Sequence, residues 1–207
     1  MMDGGRTLGL ILAGGLSRRL GGGDKALLPL GGRPMLAHVA ARLRPQCAAL
    51  VLSANGDPSR FSAFALPVAA DDPPEFSGPL AGVLAGLEYC AAFAPHLTHV
   101  ASAAADAPFL PSDFVARLAE AIGAGADIAV AASGGRIHPV AALWPTALAG
   151  DLRRALVGER VRKVEGFMRR HRVAAVEWPA SRIDPFFNVN TPGDLAQAEA
   201  MLVEPLP

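Results

Sequence analysis

The chain has 207 residues, of which 51% are hydrophobic and 18% charged, and its net charge is +0 at pH 7. This composition excludes a largely disordered chain, and the balanced charge gives no overall electrostatic reason to bind nucleic acid or a membrane surface. The length is typical of one globular domain. We therefore predict a single domain over residues 1–207, with a disordered tail at residues 1–7.

Cysteine content and the N-terminus indicate the compartment. Cys47 and Cys90 lie in apolar stretches, as expected of buried, reduced thiols. Residues 1–7 are polar and glycine-rich, unlike a signal peptide, and the alanine-rich run 80–94 is interrupted by Glu88 and too short to span a bilayer. The sequence therefore predicts a soluble, cytoplasmic protein.

Apolar segments of strand length alternate with helical patterns along the chain. This alternation predicts a doubly wound α/β fold, with a mostly parallel sheet and helices on both faces. Helices are expected from Pro34 to Pro45, over 80–93, after Pro111, after Pro145 and after Thr191. Ser112 is the expected N-cap of the third. Thr191 is the expected N-cap of the last and forms a capping box with Asp194. The predicted strands are 8–12, 49–52, 67–70, 99–103, 127–131, 140–143, 174–177 and 186–189.

The first strand runs directly into a basic loop rich in glycine, over residues 13–25. Glycines allow backbone N–H groups to turn towards an anion, and Arg18, Arg19 and Lys25 add positive charge at the same place. The spacing matches neither a P-loop nor the dinucleotide fingerprint. We interpret the loop as a phosphate site; the alternative is a flexible, solvated loop.

Two acidic positions also follow predicted strands. Asp71 and Asp72 end the third strand, and Asp106 follows the fourth. Because the carboxyl ends of parallel strands meet at one sheet edge, these residues and the glycine-rich loop should form one ligand crevice. Asp106 is our candidate for a Mg²⁺ ligand, since magnesium is held by one or two carboxylates together with phosphate oxygens. Its alternative is an ordinary turn aspartate.

Several segments together resemble a known family. The segment 12–25, with its paired arginines, resembles the signature of nucleotidyltransferases, and most of all the molybdenum cofactor guanylyltransferases. The same family is matched, in the same order, by 78–82, 106–108, His138-Pro139 and 187–192. The resemblance implies a Rossmann-like nucleotidyltransferase fold and transfer of GMP from Mg²⁺–GTP to the phosphate of molybdopterin, with release of pyrophosphate.

The resemblance also suggests residue roles. Lys25, Arg19 and Asp106 would be catalytic, with Asp106 holding the metal and Lys25 contacting the triphosphate. Asp71 would accept hydrogen bonds from guanine, and the backbone near Leu12 and Ala13 would donate to its O6 atom. The expected GTP site comprises Leu12, Ala13, Gly14, Gly15, Lys25, Ser53, Asn55, Asp71 and Asp106, and the expected acceptor site comprises Arg19, Gly78, Gly82, Asn188 and Asn190.

Some of these roles have structural alternatives. Gly78 and Gly82 fit close helix packing as well as ligand approach, and Asn188 and Asn190 would share one face of a strand. The sequence departs from the family at Ser53, where asparagine is usual, and at Ala107, where threonine is usual.

Other functions remain open at this point. They are a molybdopterin cytidylyltransferase, a sugar-phosphate nucleotidyltransferase, and a non-catalytic nucleotide sensor on the same fold. The expected partners are GTP and molybdopterin as substrates, together with other cofactor-biosynthesis proteins or molybdoenzyme chaperones. No nucleic acid or membrane partner is expected, and the protein is expected to be a monomer.

Overall fold

The computed structural model describes residues 4–14, 24–72, 78–180 and 183–203. The strands are β1 (Thr7–Leu12), β2 (Pro29–Leu30), β3 (Arg33–Pro34), β4 (Ala49–Ser53), β5 (Val68–Ala69), β6 (His99–Ala104), β7 (Ile128–Ser133), β8 (Arg136–Pro145) and β9 (Val173–Trp178). The α-helices are α1 (Met35–Leu43), α2 (Pro79–Phe93), α3 (Phe114–Gly123), α4 (Ala149–Arg153), α5 (Val164–Met168) and α6 (Pro192–Val203).

Seven strands form one sheet in the order β5-β4-β1-β6-β8-β7-β9, and β2 pairs with β3 in a separate hairpin. The central strand β1 is parallel to both of its neighbours, β4 and β6, and β4 is parallel to β5. The carboxyl ends of these four strands therefore lie side by side at one edge. The predicted α/β architecture with a mostly parallel sheet is confirmed.

Apolar helix faces cover the sheet on both sides. One core cluster joins α1 and α3 to the sheet through Leu36, Leu43 and Phe114, and the other joins α2, α4 and α5 to the opposite face. A third, smaller cluster lies beneath the β2–β3 hairpin and α6. Connections that alternate between the faces are what a doubly wound sheet requires.

The strand predicted at 140–143 is longer than expected and is antiparallel. β8 runs antiparallel to both β6 and β7, and a two-residue turn, Gly134-Gly135, joins it to β7. Both glycines have positive φ, 56° and 74°, as a tight turn of this hand requires. The glycine pair between two apolar runs is a hairpin signal that the sequence interpretation missed.

The predicted strand at 186–189 is wrong. The Asp184 carboxylate accepts from the Phe186 N–H at 2.9 Å, and the Val189 N–H donates to the Asp106 carbonyl at 3.0 Å. These bonds and Pro185, which has no N–H, replace a strand ladder with a loop.

The two predicted helix caps differ in outcome. The cap of α3 is Asp113 rather than Ser112, and the Asp113 carboxylate accepts instead from the Trp178 indole N–H at 2.8 Å. The capping box at α6 is confirmed, because the Thr191 hydroxyl accepts from the Asp194 N–H at 3.1 Å while the Asp194 carboxylate accepts from the Thr191 N–H at 2.8 Å.

The predicted N-terminal tail is too long. Gly4–Arg6 forms a 3₁₀ turn and Thr7 already pairs within β1, whereas residues 1–3 lie outside the described residues. Among the described residues, no helix combines the length and apolarity needed to cross a bilayer.

Close packing of α2 on the sheet generates a stability prediction. A Cβ added at Gly86 would lie 2.5 Å from Leu10 Cδ2, in the centre of the core. We expect Gly86→Ala to lower the free energy of unfolding by about 1–3 kcal/mol in urea titration, through overpacking. The matched control is Gly150→Ala in α4, where an added Cβ meets nothing within 4 Å, and which should be neutral or slightly stabilising. Equal effects of the two changes would contradict the packing argument.

Candidate functional site

A cavity of about 300 Å³ opens at the carboxyl edge of the sheet. It is bounded by residues that directly follow β1, β4, β5 and β6, and by the N-terminus of α2. Nearly all of the predicted site residues that the structure describes line it, namely Leu12, Ala13, Gly14, Lys25, Ser53, Asn55, Asp71, Gly78, Gly82, Asp106 and Asn188. The convergence expected from strand order is therefore present.

Lys25 and Asp106 form an ion pair at this cavity, although 81 residues separate them in sequence. The ammonium also donates to the Asn190 carboxamide oxygen at 2.5 Å. The side chains are 10% and 20% exposed, so the pair is partly shielded from water but still reachable from the cavity. An unpaired charge in such surroundings is costly, and each group offsets the other's charge.

A polar wall formed by Asn55 and Asp71 lies on the β4–β5 side of the cavity. The Asn55 amide donates to Asp71 Oδ2 at 2.7 Å, and its carboxamide oxygen accepts from the Asp71 N–H at 2.9 Å. Burial raises the pKa of the Asp71 carboxyl, and the hydrogen bond from Asn55 partly offsets that rise. Asp71 is therefore a fixed hydrogen-bond acceptor in a largely apolar recess.

The backbone groups of Leu12 and Ala13 that face their neighbouring strands are hydrogen-bonded within the sheet. The Ala13 N–H donates to the Ser53 carbonyl at 2.8 Å, and the Leu12 carbonyl accepts from the Ala105 N–H at 3.0 Å. Both groups extend the sheet ladder, so the Ala13 N–H bonds within the sheet in this structure, and the role of backbone near Leu12 and Ala13 towards a base stays a prediction. Leu12 and Ala13 also contribute wall to the cavity.

Gly82 and Gly78 have different reasons to be glycine. A Cβ at Gly82 would lie 2.6 Å from Ser53 Oγ and 2.7 Å from Leu12 Cδ2, so glycine is needed for α2 to approach the sheet. Gly78 has a φ of 128° and nothing within 4 Å of an added Cβ. Its requirement is conformational, since few side chains tolerate that φ.

The two predicted acceptor asparagines reach the site from a loop rather than from one face of a strand. Asn188 lines the cavity, and Asn190 contacts Lys25. Three residues singled out in the sequence, Gly15, Arg18 and Arg19, lie outside the described residues.

The sequence interpretation missed two arginines close to the polar wall, of which Arg60 bonds to Asn55 and Arg153 bonds to Asp72, the residue after Asp71. Arg60 donates to the Asn55 carbonyl at 2.6 Å, and its Nε lies 2.5 Å from Asp24 Oδ2, next to Lys25. Arg153 donates to Glu88 at 2.5 Å and to the Asp72 carboxylate at 3.0 Å, and these hydrogen bonds raise the pKa of Arg153. Nothing in the spacing of the sequence links these residues.

Known proteins resemble this chain over nearly its whole length. Residues 9–175 match the MobA-like NTP transferase domain. A molybdenum cofactor guanylyltransferase of Bradyrhizobium sp. (strain ORS 278) is 57% identical over 194 residues, covering 93% of this chain and 92% of that protein.

Among solved structures, molybdopterin-guanine dinucleotide biosynthesis protein A of Archaeoglobus fulgidus has a TM-score of 0.74 at 24% identity, covering 95% of this chain and 98% of that one. A Mycobacterium tuberculosis protein in complex with manganese has a TM-score of 0.67 at 18% identity, covering 94% of this chain and 98% of that one. Both likenesses concern the fold.

Burial of the Asp71 carboxyl generates a prediction about stability. Its raised pKa means that the folded state holds the charged form less well than the unfolded chain does. This cost is complete above the folded-state pKa and disappears below the unfolded value of about 3.9. We therefore expect Asp71→Asn to raise the free energy of unfolding at pH 7, with a gain that shrinks as the pH is lowered towards about 4.

The measurement is urea unfolding across that pH range, with Glu120→Gln, at an exposed position of α3, as the control for loss of one carboxylate. A lower free energy of unfolding in Asp71→Asn at pH 7, or a gain in that free energy that does not depend on pH, would contradict the raised pKa of Asp71.

Proposed function

Because this chain belongs to the MobA-like NTP transferase family and is a nucleotidyltransferase, we propose that it transfers GMP from Mg²⁺–GTP to the phosphate of molybdopterin. A phosphate oxygen of the acceptor bonds to the α-phosphorus, the bond from that phosphorus to the bridging oxygen breaks, and pyrophosphate leaves. The observation that carries the proposal is the placing of Lys25, Asp106 and Asn190 together at the end of a cavity whose other wall holds Asp71.

The Asn55–Asp71 wall suits recognition of the base. Guanine presents two adjacent donors, its N1–H and 2-amino group, and a carboxylate has two acceptor oxygens. Asn55 donates to one oxygen of Asp71 and fixes the plane of the carboxylate. Ser53 is buried beside this wall, and its hydroxyl lies against Gly82 of α2.

Lys25 and Asp106 suit the phosphates. In phosphoryl transfer the protein mainly positions the reactants and neutralises charge. The Lys25 ammonium can contact triphosphate oxygens, and the Asp106 carboxylate is an oxygen ligand of the kind that magnesium prefers. When bound there, Mg²⁺ would offset the negative charge of the triphosphate and of departing pyrophosphate. The likeness to a fold crystallised with manganese supports a divalent cation.

The acceptor is proposed to lie on the side of Asn188 and Asn190, with Arg19 contributing positive charge to its phosphate. A second recess of about 80 Å³ lies beside the main cavity on this side, and Ala104, Val140 and Asn188 line both. We place the protein in the cytoplasm as a monomer, receiving molybdopterin from other cofactor-biosynthesis proteins or passing product to molybdoenzyme chaperones.

Nucleotide choice tests the proposal against its alternatives. GTP with Mg²⁺ should raise the melting temperature more than CTP, ATP or UTP do, because Asp71 matches the donors of guanine. In parallel, pyrophosphate release should require both GTP and molybdopterin. A larger rise in melting temperature with CTP would favour the cytidylyltransferase. Pyrophosphate release with a sugar phosphate as acceptor would favour the sugar-phosphate nucleotidyltransferase. Nucleotide binding without any pyrophosphate release would favour the nucleotide sensor.

The ion pair provides a second test. Asp106→Ala should abolish turnover and the magnesium-dependent part of GTP binding, and Asp106→Asn should be nearly as damaging because it removes the charge that offsets the cation. Lys25→Ala should slow transfer by about 10²–10³, or about 3–4 kcal/mol, while some dependence on magnesium remains.

Turnover and GTP binding are measured at several Mg²⁺ concentrations, with circular dichroism to establish folding. Asp151→Asn is the matched control, because Asp151 lies in α4 and does not line the cavity. Near-normal transfer by a folded Asp106→Ala protein would overturn the assignment of Asp106.

A further inference from the structure

A cluster of Ser133, His138 and Asp184 lies beside the smaller recess and has no part in the proposed chemistry. Ser133 Oγ lies 2.7 Å from His138 Nε2 and 2.7 Å from Asp184 Oδ1. Ser133 ends β7, His138 lies in β8, and Asp184 lies in the loop over residues 183–191 that leads to α6. The three residues therefore join the β7–β8 hairpin to a loop that no strand pairing holds.

The order of the hydrogen bonds excludes a hydrolytic triad. In such a triad the histidine lies between the serine and the carboxylate and removes the serine proton. Here the serine lies in the middle. Its hydroxyl donates to the Asp184 carboxylate, so the His138 Nε2–H must donate to Ser133 Oγ. Ser133 is 3% exposed, which leaves its oxygen unable to reach a substrate.

The cluster instead holds one end of the loop over residues 183–191. Asp184 Oδ1 also accepts from the Phe186 N–H at 2.9 Å, and the Phe186 ring stacks on His138 with centroids 4.8 Å apart. Phe186 is buried against Phe114 and Trp178. The first third of the loop is thus fixed by hydrogen bonds and by aromatic packing.

The other end of the loop reaches the cavity. The Val189 N–H donates to the Asp106 carbonyl, Asn188 lines both recesses, and Asn190 contacts Lys25. Between Phe186 and Val189 only two residues intervene, so a shift at the anchored end is carried directly to Asn188.

We propose that Ser133 and His138 are positioning residues, which set the place of Asn188 through Asp184 and thereby align the acceptor. This inference rests on the proposed function, because it concerns the acceptor side of that site. The lowered pKa of His138, caused first by burial, agrees with a neutral imidazole whose one proton is on Nε2. The stacking of Phe186 on His138 and the two hydrogen bonds to Asp184 Oδ1 then act together on the loop over residues 183–191.

The first experiment compares Ser133→Ala with Ser102→Ala. Ser102 is a matched control, since it is buried in β6, accepts from the Trp144 indole N–H at 2.8 Å and donates to the Val140 carbonyl at 2.7 Å. Both changes should lower stability. Only Ser133→Ala should lower kcat/KM for molybdopterin, by about 10–100-fold through misalignment, with GTP affinity unchanged.

Three further measurements separate positioning from general destabilisation. Hydrogen exchange at the Phe186 and Val189 amides should accelerate in Ser133→Ala and not in Ser102→Ala. His138→Gln, which keeps a donor for Ser133, should retain more acceptor activity than the similarly sized His138→Leu. Ser133→Ala and Asn188→Ala should be non-additive in their effect on kcat/KM, because one acts through the other.

The inference is overturned if Ser133→Ala keeps normal acceptor kinetics, if Ser102→Ala loses as much, or if the two losses add. It is also overturned if the loop amides exchange at unchanged rates, a result that needs no substrate. Absence of any GMP transfer by the unaltered protein would overturn the proposed function. Normal transfer by the unaltered protein, with unchanged acceptor kinetics in Ser133→Ala, would overturn this inference alone.

Discussion

Parallel pairing of β1 with β4 on one side and β6 on the other is the constraint on which the site depends. Parallel neighbours cannot be joined by a tight turn, so the chain returns through a helix after each strand. Helices α1 and α2 cover opposite faces as a result, and the strand ends gather at one edge. Asn55, Asp106 and the residues after β1 are distant in sequence, and they meet because of this pairing.

Close packing reinforces the same geometry. Gly82 and Gly86 let α2 lie directly on β1 and β4, with Leu10 and Ser53 filling the space that side chains would occupy. The N-terminus of this helix therefore stands at the cavity, where Gly78 and Pro79 form part of the wall. One helix thus serves the core through Gly86 and the site through Gly82, whose own close packing ties the cavity wall to the core.

Charges at the cavity are held in pairs. Lys25 is neutralised by Asp106, and the Asp71 carboxylate accepts a hydrogen bond from Asn55. A partly buried charge without a partner would be expensive, so these contacts stabilise the cavity before a ligand arrives. Binding of a charged ligand would replace some of these contacts within the protein by contacts between the same side chains and the ligand. The raised pKa of Asp71 shows that its buried carboxylate costs stability, and the proposed role in base recognition gives a reason for keeping that cost.

The sequence by itself was enough to predict the alternation of strands and helices, the capping box at Thr191, and the positions that follow strand ends, because these depend on local spacing and composition. Prediction from sequence missed the antiparallel direction of β8, which the Gly134-Gly135 turn sets. It also placed a strand at residues 186–189, where a hydrogen bond to the Asp184 carboxylate holds a loop instead. Only the tertiary structure decided that Asn190 contacts Lys25, that the Ala13 amide is used within the sheet, that Arg60 bonds to the Asn55 carbonyl, and that Ser133 bonds to Asp184. Most of these contacts join residues far apart in sequence, and their geometry depends on how loops pack against the sheet, which no local pattern specifies.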